Sequence, residues 1–491
     1  MPPFRRVLAI ADDLSGAAET AAGLRSRTTR SRVLLLGPAA TGPEEISAAD
    51  ARAVTVLDLD SRHCPAEDAA DAVRGALRMA PTGDTLVLKK IDSLLRGNVA
   101  AEVAALAADG PGVVVAPALP VAGRVVRAGV VHLGGVPLHE GEAWRAEATA
   151  PPSSVADALG GLPTALIPLA TVRAARPTLL SALRAAVAAG RVAVCDAETD
   201  ADLDAIVTAS LADVLRLRLV GTGGLATALG RHLAAEGAAH PAPAAGPEAA
   251  EPTTRGRTAP RAEAVETADR PVLVVIGTAE PGAVEQVRRL VADGAVHVPL
   301  DLAGLLSEPP AAALPPLTAP VTVVTIAPPA GPPRGVTSPA TTAAPEAVGT
   351  ASAVAATARH HTATTTAPDG TTNAPAPPRP ETGSGDGAAP GPVPARRLVH
   401  GLARAVAAAL AAHDGGADLV LTGGETARRV LDALAITRLD PVGQVHHGAV
   451  HLRTPDGRSV VTRPGSFGDP DSLRHIVRAL HPHSTERKVT S

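Results

Sequence analysis

"RRVLAIADDLSG", residues 5–16, runs from an apolar stretch into two adjacent carboxylates, Asp12 and Asp13. An unbroken apolar run of this length suits a strand buried on both faces of a parallel sheet. In open α/β sheets ligands bind beyond the carboxyl ends of the strands, and the Asp pair stands at such an end. Two readings are open. The carboxylates hold a substrate hydroxyl, accept its proton or bind Mg²⁺, or one of them caps the helix beginning near Ser15. A strand that persists through Asp12 would point the two side chains to opposite faces.

The same pattern recurs outward from this stretch. "SRVLLLG", "AVTVLDLD", "DTLVLKK", "GVVVAPA", "RVAVCDA" and "LRLVGTG" are short Val- and Leu-rich runs separated by Ala-rich segments with helical spacing. It lapses from 236 to 270, which reads as linker, and resumes with "PVLVVIG", "PVTVVTI", "ADLVLTG" and "SVVTRPG". The alternation predicts two α/β domains with mostly parallel sheets, residues 1–235 and 271–491. A length of 491 residues exceeds what one core usually supports, and two domains imply a cleft between them. Residues 327–395 are Pro, Ala, Thr and Gly with hardly any large apolar side chain, and they read as a disordered insertion. His360 and His361 within it read as an incidental pair.

Hydrophobic residues at 45% and charged residues at 19% suit a globular chain with a sizeable core. With two Phe, one Trp and no Tyr, that core is aliphatic and offers no stacking platform for single-stranded nucleic acid. A formal net charge of −4 leaves no basic footprint for a polyanion. Cys64 and Cys195, far apart, suggest neither a disulfide framework nor a cysteine zinc site. The absence of a signal-like or membrane-spanning run points to a cytoplasmic protein without a membrane partner.

A second polar cluster is "KKIDSLLRGNVAAEV", residues 89–103, where Lys89, Lys90, Asp92, Ser93, Arg96 and Asn98 follow a strand and Gly97 opens a helix. Lys and Arg supply charge for an anion, and the Arg fork can grip a carboxylate at two points. In "APALPVAGRVVRAGVVHLGGVPL", residues 116–138, Pro and Gly fix a loop around Arg124 ahead of a hairpin-like pair of strands. His132 and His139 read as structural. Three glycine turns, "VGTGGLATAL", "VIGTAEPGAVEQV" and "LVLTGGETARRVLDAL", join strands to helices in the manner that receives phosphate, and none ends as a P-loop does. A fourth, "TRPGSFGDPDSL", follows a late strand.

In their order, "IADDLSGAAETA", "LKKIDSLLRGNVAAEV", "APALPVAGR", "GTGGLATAL", "LTGGETARRVLDAL" and "TRPGSFGDPDSL" resemble the four-carbon acid sugar kinase family. The resemblance implies an N-terminal domain that binds a sugar acid and a C-terminal domain that binds ATP with Mg²⁺. The active site would lie in the cleft between them, phosphorylating threonate, erythronate or 3-oxo-tetronate. Asp12, Asp13, Arg96 and Arg124 would surround the sugar acid, joined by Lys89 and Asp92 from the cationic cluster. The nucleotide would meet Thr278, Gly423, Gly424, Glu425, Thr426 and Gly465. The chain departs from the family pattern at Ser15, Leu94, Glu280, Arg463, His446 and His447. A kinase for another small hydroxy acid and a non-catalytic binding protein are the alternatives.

Overall fold

In the computed structural model, the described residues are 6–25, 30–37, 53–79, 85–239, 270–307, 312–327 and 395–481, less short gaps at 109, 111, 146, 148, 213–216, 279, 414–415 and 466–467. Most of the expected linker, most of the expected insertion, and His360 and His361 lie outside them.

The N-terminal half runs β1 (Arg6–Ala11), α1 (Leu14–Gly23), β2 (Arg30–Leu35), β3 (Ala53–Asp58), α2 (Ala66–Met79), β4 (Thr85–Lys90), α3 (Val99–Ala107) and β5 (Val113–Ala116). A three-stranded antiparallel excursion follows, β6 (Arg124–Arg127), β7 (Val130–Leu133) and β8 (Val136–Pro137). Ala128 and Gly129, both at positive φ, turn the β6–β7 hairpin, the conformation that tight hairpins require. Then come α4 (Val155–Ala158), β9 (Thr164–Ile167), α5 (Leu169–Val172), α6 (Arg176–Ala188), β10 (Val192–Cys195), α7 (Asp200–Leu211), β11 (Arg218–Gly221) and α8 (Gly223–Ala239).

The C-terminal half comprises β12 (Val272–Ile276), α9 (Pro281–Ala292), β13 (Val296–Leu300), α10 (Leu302–Leu306), β14 (Val321–Ile326), α11 (Ala395–Ala411), β15 (Asp418–Thr422) and α12 (Gly424–Ala433). It closes with β16 (Arg438–His446), β17 (Ala449–Arg453), β18 (Ser459–Arg463) and α13 (Ser472–Leu480).

The two halves share one 15-stranded sheet in the order β13-β14-β12-β15-β18-β17-β16-β2-β3-β1-β4-β11-β5-β10-β9. Strands β2 to β9 of the N-terminal half are parallel throughout, as are β13 to β18 at the other end. The antiparallel β16 and β17 complete the span, and β16 meets β2 through Arg438↔Leu34 and Leu439↔Val33.

Fully apolar strands need cover on both faces, and the side chains of β12 show how it is supplied. Leu273 and Val275 enter the larger core, which also holds Leu8, Ile10 and Leu439, whereas Val272, Val274 and Ile276 enter a smaller one with Val323 and Ile476. Successive strand residues face opposite ways, so one strand feeds two cores.

Candidate functional site

Because β3, β1 and β4 are adjacent and parallel, their carboxyl ends deliver three polar loops to one place. The carboxyl ends of β12, β15 and β18 deliver three more, and a cleft of about 420 Å³ lies between the two sets.

Strand β1 stops at Ala11, and Asp13 caps α1 by accepting from the Gly16 amide at 2.9 Å. The two carboxylates therefore do not face opposite ways. Both turn to Arg62, whose Nε donates to Asp12 Oδ2 at 2.7 Å and whose Nη1 donates to Asp13 Oδ2 at 2.9 Å. The loop after β3 that carries Arg62 is fixed by its own backbone. The Ser61 and Arg62 amides donate to the Asp12 carbonyl at 3.0 and 3.2 Å, and Asn98 Nδ2 donates to the carbonyls of Ser61 and Cys64. Arg62 escaped the reading of the sequence because only strand order brings the end of β3 beside the end of β1. Its signal was the same as that of the Asp pair, polar residues directly after an apolar strand.

These contacts leave the two aspartates unequal. Asp13 has both oxygens engaged, one by Gly16 and one by Arg62. Asp12 is 2% exposed, and its Oδ1 has no hydrogen-bond partner among the described residues. Burial pushes the Asp12 carboxyl up, but Arg62, Lys89 and Lys90 together outweigh burial and hold it below the ordinary value.

Lys89 requires a correction, since it does not line the cleft. Alternation along β4 sends Lys90 to the cleft and Lys89 to the opposite face. There Lys89 is fully buried, with Nζ 2.9 Å from Glu102 Oε2, and Ser61 Oγ donates to Glu102 Oε1 at 2.5 Å. Lys89 thus supports the Asp12 loop from behind.

Asp92, Arg96 and Arg124 all line the cleft, but the two arginines differ. Arg96 spends its fork on Asp92, with Nε to Oδ2 and Nη2 to Oδ1 both at 2.8 Å, and its Nη1 lies 3.7 Å from Glu147 Oε1. Burial pushes the Asp92 carboxyl up, while Arg96 and Arg62 pull it well below the usual range. Arg124 donates from Nη1 to Ser93 Oγ and has no carboxylate within 4.0 Å among the described residues; burial lowers its pKa. Glu147 closes a short turn in which its amide donates to the Trp144 carbonyl at 2.9 Å, and the Trp144 indole N–H donates to the Thr149 carbonyl at 2.8 Å.

On the other side Thr278, Gly423, Gly424, Glu425, Thr426 and Gly465 all line the cleft. Gly423, at φ 87°, stands at the N-terminus of α12 in a conformation that favours glycine. A Cβ on Gly424 would lie 2.6 Å from Asp13 Oδ2 and 3.2 Å from Ser15 Oγ, so α12 starts in direct contact with the start of α1. Glu425 Oε1 has no hydrogen-bond partner among the described residues and lies 3.6 Å from Arg396 Nε. Orphan amides and the dipole at such a helix start favour an anion.

The departures from the family pattern fall mostly outside the cleft. Glu280 is exposed at the start of α9 and Leu94 is buried in the core. Arg463 is fully buried, donates from Nη2 to Gln286 Oε1 at 2.5 Å, and is lowered to about 10 by burial. His446 Nε2 meets Ser472 Oγ at 2.8 Å, while Ser15 and His447 line the cleft.

Comparison with known proteins matches the two halves of the chain to two different patterns. Residues 7–229 match a sugar-binding N-terminal domain and residues 332–473 match a nucleotide-binding C-terminal domain. A D-threonate kinase of Cupriavidus necator is 40% identical over 246 residues, 49% of this chain and 58% of the relative. A D-erythronate kinase of Heliobacterium modesticaldum is 32% identical over 240 residues, 46% of this chain and 53% of the relative. The chain thus spans somewhat more than half the length of these curated relatives. In fold it is similar to a crystallised Salmonella typhimurium LT2 protein described as a candidate tRNA synthase, with a TM-score of 0.64 at 20% identity, covering 96% of this chain and 99% of that one. With a sugar-binding pattern over its first half, a nucleotide-binding pattern over its second and one cleft shared by both, the chain belongs to the four-carbon acid sugar kinase family.

Proposed function

We propose that this protein transfers the γ-phosphoryl group of ATP to a hydroxyl of a four-carbon sugar acid of the threonate, erythronate or 3-oxo-tetronate type. The observation that carries the reading is the buried Asp12 Oδ1, without a hydrogen-bond partner among the described residues, in a cleft that also contains the amino end of α12. Relatives named D-threonate kinase and D-erythronate kinase supply the substrate class.

In this reading Asp12 receives the acceptor hydroxyl at Oδ1 while Arg62 holds Oδ2, and Asp13 shapes the loop. A carboxyl held below its ordinary pKa is a weak base. Phosphoryl transfer passes through a loose transition state and asks chiefly for orientation, which Asp12 supplies. Arg124, free of carboxylate partners among the described residues, takes the substrate carboxylate. Gly423, Gly424 and Thr426 receive phosphate at the start of α12, with Thr278 and Gly465 beside them.

The residues also fit Mg²⁺, since at phosphate sites this ion is held by one or two carboxylates and the phosphates themselves. Glu425 would hold it, and the ion would neutralise phosphate charge. A cytoplasmic location belongs to the same reading, supported by the unpaired thiols of Cys64 and Cys195.

ADP release measured over a panel of four- and five-carbon sugar acids tests the proposal. Asp12→Asn should lower kcat by about 10²- to 10⁴-fold when assayed well below its melting temperature, which should itself fall because Arg62 loses a charged partner. A wild-type rate in that variant, or no ADP release with any acid, would overturn the reading.

A further inference from the structure

Two arginines one turn into α12 tie the phosphate side of the cleft to the acceptor side. Arg428 is 3% exposed, and its Nη1 lies 2.9 Å from Oδ2 of the fully buried Asp58 at the end of β3. Its Nη2 donates to the Leu36 carbonyl after β2, and its Nε donates to Asp432 Oδ1 at 2.9 Å. Arg429 pairs with Asp60 and, through Nη1, with Asp432 Oδ2 at 2.8 Å. Asp60 holds a left-handed backbone at φ 52°. Two residues further on is Arg62, which grips Asp12 and Asp13.

One rigid helix therefore carries both the glycine loop and the arginines, and one short segment after β3 carries both their partners and Arg62. Gly424 leaves no room between the two sides, since even a methyl group there would meet Asp13 and Ser15. We propose that Arg428 and Arg429 are positioning residues that hold the phosphate-receiving end of α12 in register with the Asp12 acceptor site through Asp58 and Asp60. The inference rests on the kinase reading above and adds to it the residues that set the distance between donor and acceptor.

A misplacement of about 1 Å at reacting groups can cost on the order of 10²-fold in rate without loss of binding. The test uses the full chain with Arg429→Gln, Asp60→Asn and the double variant, together with Arg428→Lys and Arg428→Met. Each is measured for kcat and, by calorimetry, for binding of ADP alone and of threonate alone. We expect Arg429→Gln and Asp60→Asn each to lower kcat by about 10²-fold. Binding of either ligand alone should stay within about twofold, and the double variant should lose no more than either single one. Arg428→Lys should retain more rate than Arg428→Met.

Wild-type kcat in Arg429→Gln, or losses that multiply in the double variant, would overturn the proposal. So would a fall in rate matched by an equal fall in ADP affinity. Should Arg428→Met fail to fold, the partly exposed Arg429 and Asp60 still decide. Failure of the kinase reading is separable, because it appears as a wild-type protein that releases no ADP with any acid. Positioning is then read from binding alone. Wild type should bind ADP more tightly with threonate present and Arg429→Gln should not, and equal behaviour of the two overturns the inference.

Discussion

Arg96 and Arg124 have the same side chain on the same cleft, yet their neighbours give them different work. A guanidinium already bound at two points by Asp92 has little left for a ligand, whereas among the described residues Arg124 meets the Ser93 hydroxyl and no carboxylate. Arg124→Gln should therefore raise KM for the sugar acid by about 10- to 100-fold, as loss of a charge-assisted hydrogen bond of about 1.5 to 3 kcal/mol implies. Its melting temperature should stay near that of wild type. Arg96→Lys should show the reverse, with a lowered melting temperature and a smaller change in KM, because it breaks the pair with Asp92. Steady-state kinetics and thermal melts of both variants check the assignment, and a larger KM effect at Arg96 would reverse it. At this scale the sequence was legible in residue type and opaque in partnership. It placed Asp12, Asp13, Asp92, Arg96 and Arg124 on the cleft, but which arginine was already paired depended on side-chain directions that no spacing encodes.

Among the elements, β3 carries the most unusual burden, since its last residue is a fully buried carboxylate. Burial raises Asp58 to about 7; Arg428 opposes this, while Asp13 and Asp12 add to it. In the unfolded chain an aspartate titrates near 3.9. Between those values the folded protein binds more protons than the unfolded one, so this group's contribution is complete below about pH 4 and is lost as pH rises through about 7. Asp58→Asn removes that dependence, and its melting temperature should fall less steeply than that of wild type from pH 5 to pH 8. Parallel curves for the two proteins would contradict the assignment. The apolar strands were legible because their runs are short, continuous and bounded by turn residues. The pairing of β3 with β1 was not, for strand order follows from packing across the sheet. That is why Arg62 was missed, whereas Lys89 was expected in the cleft because nothing in the sequence says which of two successive β4 residues faces it.

For the whole molecule, the sequence indicated two α/β halves but not that they share a sheet. Strand β16 gives no sign of its partner, because Leu439 and Val33 are ordinary apolar residues whose pairing spans most of the chain length. The larger core runs through both halves, from Leu8 and Ile10 to Leu421 and Val460, and the smaller core, confined to the C-terminal half, is built on strands such as β12 that also feed the larger one. Thermal unfolding followed by circular dichroism should show one cooperative transition, and two resolved steps would argue against a shared core.

The Trp144 turn has an optical consequence. The chain has one tryptophan and no tyrosine, so emission excited near 295 nm comes from a single indole. That indole is 8% exposed and is linked through the Glu147 backbone to a carboxylate 3.7 Å from Arg96 Nη1. A sugar acid held by Arg124, close to Arg96, and disturbing the Arg96–Glu147 contact should shift the colour or intensity of that emission, whereas ADP alone, bound at α12, should leave it nearly unchanged. Titrating threonate and ADP separately in a fluorimeter would then report which end of the cleft is filled, with no label attached to the protein.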